Sequence, residues 1–197
     1  MFNKRGRELV LDLMVGIAWM FYAGIYLHGV RRTGRVIDLG LLLFFTLVAV
    51  LFLKRSPAQR SGTPWELLLA LSGTFLPVVV PRPASGGLRW LGESIQILSL
   101  VGMVAALTSL GRSFGIAPAD RGLRTTGPYR WLRHPLYAAE IAFFIGYLVV
   151  NPSWRNVIAL ILSSAIQILR IMREERILAG YATYALQVRW RLIPFVW

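Results

Sequence analysis

Long apolar runs separated by short polar connectors dominate the chain. Six runs approach or reach the roughly 20 residues that a helix needs to cross a bilayer, and they lie at 9–30, 36–53, 65–81, 90–110, 136–151 and 154–172. The connectors RRTGR, KRSPAQRSG, PRPASGG and NPSW are rich in turn-forming residues. The third and fifth runs are short and contain Pro77 and Gly146, so we expect tilted or kinked helices or burial among neighbours. The pattern predicts an all-α integral membrane bundle with about six transmembrane helices.

The composition supports a membrane protein and excludes several kinds of site. Hydrophobic residues make up 56% of the 197 residues, whereas ordinary soluble domains contain about 45–50%. The net charge of +13 would suit a nucleic-acid partner, but no nucleic-acid-binding motif accompanies it, and we expect none. The chain has no cysteine and two histidines, which excludes disulfides and cysteine nucleophiles and argues against a metal site.

The basic residues are distributed unevenly between the two ends of the predicted bundle. Six spans place both termini on one side, and sixteen of the 22 Lys and Arg residues lie on that side. Positive charge accumulates on cytoplasmic loops. The distribution therefore predicts that the termini and the connector between the fourth and fifth spans face the cytoplasm.

The connector between the fourth and fifth spans contains a dense polar segment, GPYRWLRHPLY, at 127–137. Pro135 suits the first turn of the fifth helix, because its missing N–H is not needed there. Arg133 and His134 then lie at a helix N-terminus, where free N–H groups and the helix dipole favour a carboxylate or phosphate. The alternative interpretation is an interfacial belt of aromatic residues and arginines.

A second polar cluster, RIMREER, ends the sixth span at 170–176. Arg170 and Glu174 are four residues apart, so we expect them to share a helix face and form an ion pair. The alternative is a solvated helix end with ordinary ion pairs. The basic and aromatic segment that follows, at 181–195, is expected either to lie along the membrane interface or to fold back over a site.

Together the two clusters resemble the isoprenylcysteine carboxyl methyltransferase family and its bacterial relatives. The similarity lies in Gly-Pro-Tyr-x-x-x-Arg-His-Pro-x-Tyr at 127–137, then Glu174-Glu175, Tyr181, Tyr184 and Arg191-Leu-Ile-Pro194. It covers about residues 90–197 and implies a methyltransferase core there, with 1–89 as helices on the lipid-substrate side. It also implies S-adenosylmethionine in a cytosolic pocket, a lipid or prenylated hydrophobic substrate from the bilayer, and a bacterial inner membrane.

The resemblance, combined with the chemistry of the cofactor, implies roles for individual residues. Arg133, His134 and Tyr137 are expected to hold the cofactor's carboxylate. Glu175 is expected to accept from the ribose hydroxyls or the ammonium, and Arg170 to position the methyl acceptor, which makes these two the candidate catalytic residues. The residues expected to contact the adenine are Pro128, Tyr129, Ile193 and Pro194. The other expected cofactor contacts are Pro135, Glu174 and Tyr184. Ala139 replaces a glycine that the family often has, which predicts a looser helix contact.

Two other functions are compatible with parts of the sequence. Membrane sterol and steroid reductases, which use NADPH, carry a similar arginine-histidine-proline motif with an acidic residue where Glu140 falls. A small transporter or assembly protein would use the polar residues within the spans, which are Asp12, Asp38, Glu93 and Gln96. Helix packing also accounts for these four. The acceptor atom of a methyltransferase, whether carboxylate oxygen, amine nitrogen or thiol sulfur, stays open.

Overall fold

The chain forms a bundle of six long helices in a computed structural model that describes residues 4–58, 60–61, 63–79, 83–116 and 119–197. The long helices are α1 (Lys4–Thr33), α2 (Val36–Leu53), α3 (Pro64–Val79), α4 (Arg89–Leu110), α5 (Pro135–Val150) and α6 (Trp154–Ile177), followed by the short α7 (Tyr181–Gln187). Two-residue strands, β1 (Arg60–Ser61) and β2 (Ala119–Asp120), form an antiparallel pair. The predicted all-α class is confirmed. The end of the predicted third run at residues 80–81, and Arg82 in the next connector, lie outside the described residues.

Within the described residues, four helical segments are long and apolar enough to cross a membrane, and they span Leu13–Thr33, Val36–Leu53, Arg89–Ser113 and Trp154–Ile177. The third and fifth helices, α3 and α5, have 16 residues each, or about 24 Å at 1.5 Å per residue. They are therefore short relative to a hydrocarbon core of about 30 Å, as the sequence predicts. The chain is an integral membrane protein whose two short helices lie against longer neighbours.

The helices pack in an order that differs from their order in the chain. The α1–α2 hairpin lies against α4, α4 runs along α5, and α6 contacts both α5 and α3. Glycines allow the close approach of α4 and α5: a Cβ built on Gly146 would lie 2.8 Å from the Gly92 carbonyl oxygen. Ala139 faces Gly102 of α4, with 3.4 Å between its Cβ and a Cβ built there. The glycine on α4 therefore accommodates Ala139, and the contact stays close.

Alternating helix directions bring the polar connectors together at two opposite ends of the bundle. At one end, which we call the C-terminal end, β1 pairs with β2 and Arg121 donates from Nε to the Ser56 carbonyl oxygen at 3.1 Å. At the opposite end, the Ala84 N–H donates to Asn151 Oδ1 at 3.1 Å. Three parts of the chain lie at the C-terminal end, as six alternating helices require. They are the connector between α4 and α5, which we call the motif connector, then α7, and then the residues after α7, which we call the C-terminal segment.

Aromatic packing fixes the α1–α2 hairpin. The ring of Phe45 on α2 lies 5.5, 5.6 and 5.4 Å from the rings of Trp19, Tyr22 and Tyr26 on α1. Such pairs add about 0.5–1.5 kcal/mol each beyond the area they bury. The cluster forms one wall of the space between α2, α4 and α5, where the candidate site lies.

Candidate functional site

The motif connector and the C-terminal segment are joined by backbone hydrogen bonds. Leu132 and Trp190 form a parallel bridge, the Arg133 N–H donates to the Trp190 carbonyl at 2.8 Å, and the His134 N–H donates to the Arg191 carbonyl at 3.0 Å. These bonds hold residues nearly 60 positions apart in sequence at one place. The C-terminal segment thus folds back onto the motif, which is one of the two placements that the sequence allows.

Arg133 supports α7 with its side chain. Its Nε donates to the Val188 carbonyl at 2.6 Å and its Nη2 to the Ala185 carbonyl at 2.9 Å. The last carbonyls of a helix have no partner within the helix, and a guanidinium satisfies them and complements the helix dipole. The side chain therefore stabilises the end of α7 directly, which differs from the carboxylate contact expected from the motif.

Glu175 connects four parts of the chain. Its Oε1 accepts from Tyr181 Oη at 2.6 Å and from Arg191 Nε at 2.8 Å, and its Oε2 accepts from Arg191 Nη2 at 3.0 Å. His134 Nε2 lies 3.3 Å from the same carboxylate. The two-pronged bond to Glu175 raises the pKa of Arg191. This carboxylate holds α6, α7, the motif and the C-terminal segment together, with both oxygens occupied.

Glu174 faces a different environment. It lines a cavity at the centre of the bundle and accepts a hydrogen bond from Tyr137 Oη of α5. The predicted ion pair with Arg170 is not what the structure shows. Arg170 donates to Gln167 Oε1 at 3.0 Å and to the Ile116 carbonyl at 2.9 Å, and its guanidinium lies 5.0 Å from the Tyr137 ring centre. The tyrosine from α5 therefore contacts both residues that were expected to pair with each other.

A cavity of about 540 Å³ extends from the motif into the helical bundle. Its polar part is formed by predicted site residues from α5, α6, α7 and the motif connector, namely Tyr129, Arg133, His134, Tyr137, Arg170, Glu174 and Tyr184. Its apolar part contains aromatic and aliphatic side chains from α2 and α5, including Leu41, Phe44, Phe45, Phe143 and Phe144. The cavity is thus polar near the C-terminal end, apolar along the middle of the helices, and polar again near the opposite end, where Arg35, Asp38, Glu93 and Asn151 line it.

Five predicted site residues lie outside the lining of this cavity. They are Pro128, Pro135, Glu175, Ile193 and Pro194. Pro135 begins α5 as expected. Ile193 is 55% exposed, and the neighbouring Leu192 is the residue that packs inward, against Tyr137 and Ile171. The Ile193 N–H donates to the Trp197 carbonyl at 3.2 Å. The turn that contains this hydrogen bond places Ile193 at the surface.

Comparison with known proteins identifies the family. Residues 84–183 match the phospholipid methyltransferase family. The chain belongs to this family. The match contains the motif connector, both glutamates and Tyr181, and the resemblance predicted from these residues is confirmed. The chain is therefore a membrane methyltransferase.

A solved structure shows the same fold. The eukaryotic intramembrane Ras methyltransferase, isoprenylcysteine carboxyl methyltransferase, determined without a monobody, superposes with a TM-score of 0.50 at 19% identity. The alignment covers 99% of this chain and 88% of that chain. No curated protein matches this sequence.

The candidate site contains polar residues that the motifs alone do not reveal. Gln167 donates to Glu140 within the bundle, and both line the cavity. A sequence signal for Gln167 exists, because four polar residues of α6 recur at helical spacing. They are Asn156, Ser163, Gln167 and Arg170, and the structure buries all four. Glu140 has a signal too, since a carboxylate in an apolar run is costly unless a partner meets it.

Buried tyrosines complete the polar end of the candidate site. Tyr184 donates from Oη to the Tyr129 carbonyl at 2.6 Å, and burial raises the pKa of Tyr184 to about 12. Burial also raises the pKa of Tyr129 and that of Tyr181, the latter with help from its bond to Glu175. All three hydroxyls are therefore neutral at physiological pH and can act as hydrogen-bond donors.

Proposed function

We propose that this methyltransferase moves a methyl group from S-adenosylmethionine to a lipid-like acceptor, with the cofactor bound at the C-terminal end of the bundle. The observation that carries the proposal is the continuous cavity, which joins a polar part beside Glu174 to an aromatic part within the helices. A charged, water-soluble cofactor suits the first part, and the chain of a lipid suits the second. The two reactants would meet where the parts join.

The polar residues fit the chemistry of the cofactor. Its methionyl part carries an ammonium and a sulfonium, both cationic, and a carboxylate. Glu174 presents an anionic group to the cavity, oriented by Tyr137, and is proposed to bind the ammonium. His134 is proposed to hold the carboxylate, and Tyr129 and Tyr184 to contact the adenosine. When bound, the cofactor supplies an electrophilic methyl group on its sulfonium.

Glu175 and Arg133 are proposed to act through the elements they hold. Glu175 keeps His134 and Tyr181 in place, and Arg133 keeps α7 closed over the cavity. Methyl transfer needs alignment and a site from which water is excluded. These two residues supply the rigidity that alignment requires, and Arg170, fixed by Gln167 and by the Tyr137 ring, is proposed to position the acceptor.

The two halves of the chain are proposed to divide the substrates between them. Residues 1–89 contribute α2, whose Leu41, Phe44 and Phe45 form part of the apolar wall. Residues 90–197 contribute the polar residues of the motif, α6 and α7. The N-terminal helices would therefore shape the lipid side, and the C-terminal core would bind the cofactor.

Cofactor binding to the purified protein in detergent tests the proposal directly. Calorimetry with S-adenosylmethionine, its demethylated product and NADPH should show binding of the first two only. Binding of NADPH alone would overturn the proposal in favour of a membrane reductase. Transfer of tritiated methyl from the cofactor to a membrane lipid extract then tests the reaction, and a heat-denatured sample provides the background.

A further inference from the structure

Glu140 is a carboxylate within the bundle that the proposed reaction has not yet used. We propose that Glu140 takes up the proton that the methyl acceptor loses, so that the acceptor is an amine, thiol or hydroxyl group and not a carboxylate. The inference rests on the proposed function, because it concerns the second substrate of the same site.

Glu140 lies on the face of α5 that lines the cavity. Tyr137, Glu140, Phe143 and Phe144 all line the cavity and, at spacings of three and four, lie on one face of the helix. At 1.5 Å per residue, Glu140 is about 4.5 Å deeper along the axis than Tyr137 and about 4.5 Å before Phe143. It therefore lies between the polar part and the aromatic part, where a lipid-borne nucleophile would meet the methyl group.

Glu140 is held in place while it keeps hydrogen-bonding capacity for a ligand. Gln167 donates to Glu140 Oε2, and Gln167 is itself 4% exposed and accepts from Arg170 Nη1 at 3.0 Å. Among the described residues, no second hydrogen bond reaches the Glu140 carboxylate. One oxygen is thus oriented by a buried amide, and the other is left to accept a hydrogen bond from a ligand in the cavity that Glu140 lines.

The groups around this position carry charges of both signs. The charged and titratable groups that face Glu140 are Arg170 and Glu174 of α6, Tyr137 of α5 and Tyr129 of the motif connector. Arg170 donates two hydrogen bonds, and its buried Nε makes none among the described residues. A carboxylate acceptor has no proton to lose and would leave Glu140 without a role, whereas a protic nucleophile would find in Glu140 a hydrogen-bond acceptor and a base.

The proposed step balances. The lone pair of the acceptor atom forms a bond to the methyl carbon, and the methyl–sulfur bond breaks with its electron pair left on sulfur as a neutral thioether. One proton leaves the acceptor atom and passes to the Glu140 carboxylate. A positioned base of this kind contributes about 10²–10⁴-fold to a rate.

Probes that differ only in the head group test the acceptor class. The full-length protein in detergent micelles is supplied with tritiated S-adenosylmethionine and with hexadecylamine, hexadecanethiol, hexadecanol or hexadecanoate. We expect label in one or more of the first three, stable to mild alkali. Release of label as methanol by alkali would reveal a methyl ester, and that result would overturn the inference.

Substitution of the carboxylate tests the role of Glu140. Glu140→Gln should lower kcat by about 10²–10⁴-fold and remove the acid limb of the pH profile, with the KM for the cofactor within about twofold. Ser163→Ala is the matched control, because Ser163 is buried on α6, makes no hydrogen bond from its hydroxyl among the described residues and does not line the cavity. Wild-type kcat in Glu140→Gln would overturn the proposal.

The outcomes separate this inference from the proposed function. Failure to bind S-adenosylmethionine contradicts the proposed function itself, whereas cofactor binding with ester formation contradicts only the acceptor class. If no probe is methylated, calorimetry measures the binding of hexadecylamine to wild type and to Glu140→Gln, each saturated with the demethylated cofactor. Hexadecylamine binding that weakens at least about tenfold in Glu140→Gln supports the inference, and equal binding in both proteins overturns it.

Discussion

Glu174 and Glu175 are neighbours in sequence but make different contacts. Glu174 accepts from Tyr137 and lines the cavity, whereas Glu175 binds Arg191 through two hydrogen bonds and does not line the cavity. Consecutive residues of a helix are rotated by about 100°, so one turns toward α5 and the other toward the C-terminal segment. A double glutamate thus supplies one carboxylate that lines the cavity and one that holds other elements together.

Paired substitutions should separate these two roles. Glu174→Gln should weaken S-adenosylmethionine binding at least about tenfold without lowering the melting temperature. Glu175→Gln should lower the free energy of unfolding by about 1–3 kcal/mol, because it loses hydrogen bonds to a charged partner. Calorimetry and thermal unfolding in the same detergent measure both. Equal effects of the two variants in both assays would contradict the assignment.

Arg133 should matter through α7. Arg133→Lys keeps the charge but loses the planar guanidinium. A lysine ammonium cannot donate to both the Ala185 and the Val188 carbonyls in the same geometry. We expect faster hydrogen exchange across Tyr181–Gln187 and weaker cofactor binding. Arg130→Lys is the control, since Arg130 is exposed and contacts the Trp131 ring. Weaker binding with unchanged exchange in α7 would instead indicate direct contact of Arg133 with the cofactor.

The close contact of α4 and α5 should not tolerate an added methyl group. In Gly146→Ala the new Cβ would lie 2.8 Å from the Gly92 carbonyl and 3.0 Å from the Gln96 nitrogen. Overpacking of this kind costs about 1–3 kcal/mol. Gly24→Ala, where nothing lies within 4 Å of the new Cβ, should leave the melting temperature unchanged or raise it. A stable Gly146→Ala protein would show that the helices can separate without cost.

Tyr184 should make stability depend on pH in the alkaline range. Its folded-state pKa of about 12 lies above the ordinary value of 10.0, so folding favours the protonated hydroxyl. The stability that this hydroxyl contributes is fully present below pH 10 and is lost as the pH rises toward 12. The difference in unfolding free energy between wild type and Tyr184→Phe should therefore be constant below pH 10 and shrink above it. A constant difference up to pH 12 would contradict this account.

The orientation in the membrane can be measured because the chain contains no cysteine. Leu186 in α7 is 88% exposed and lies at the C-terminal end, whereas Ser85 is exposed at the opposite end. An impermeant maleimide added to intact cells should label Ser85→Cys, and it should label Leu186→Cys only after permeabilisation. The reverse pattern would place the C-terminal end of the bundle outside the cytoplasm.

The sequence by itself determined the helices and the family. The length of each apolar run and the proline- and glycine-rich connectors decide where helices begin and end, because backbone groups in lipid must be paired within a helix. The observed α2 (Val36–Leu53) has the same bounds as its predicted run, and α4 (Arg89–Leu110) differs by one residue at its start. The motif residues near Tyr137 and Glu174 likewise identified the family without any coordinates.

Only the tertiary structure decided which side chains meet. The spacing of Arg170 and Glu174 predicted a pair, but Tyr137, 37 residues from Glu174 in sequence, contacts both of them. Arg133 likewise finds its partners 52 and 55 residues away. Local spacing determines the helix face on which a residue lies, whereas the group opposite that face depends on how distant helices pack. The candidate site is built from such distant contacts, and therefore its geometry could not be read from the chain alone.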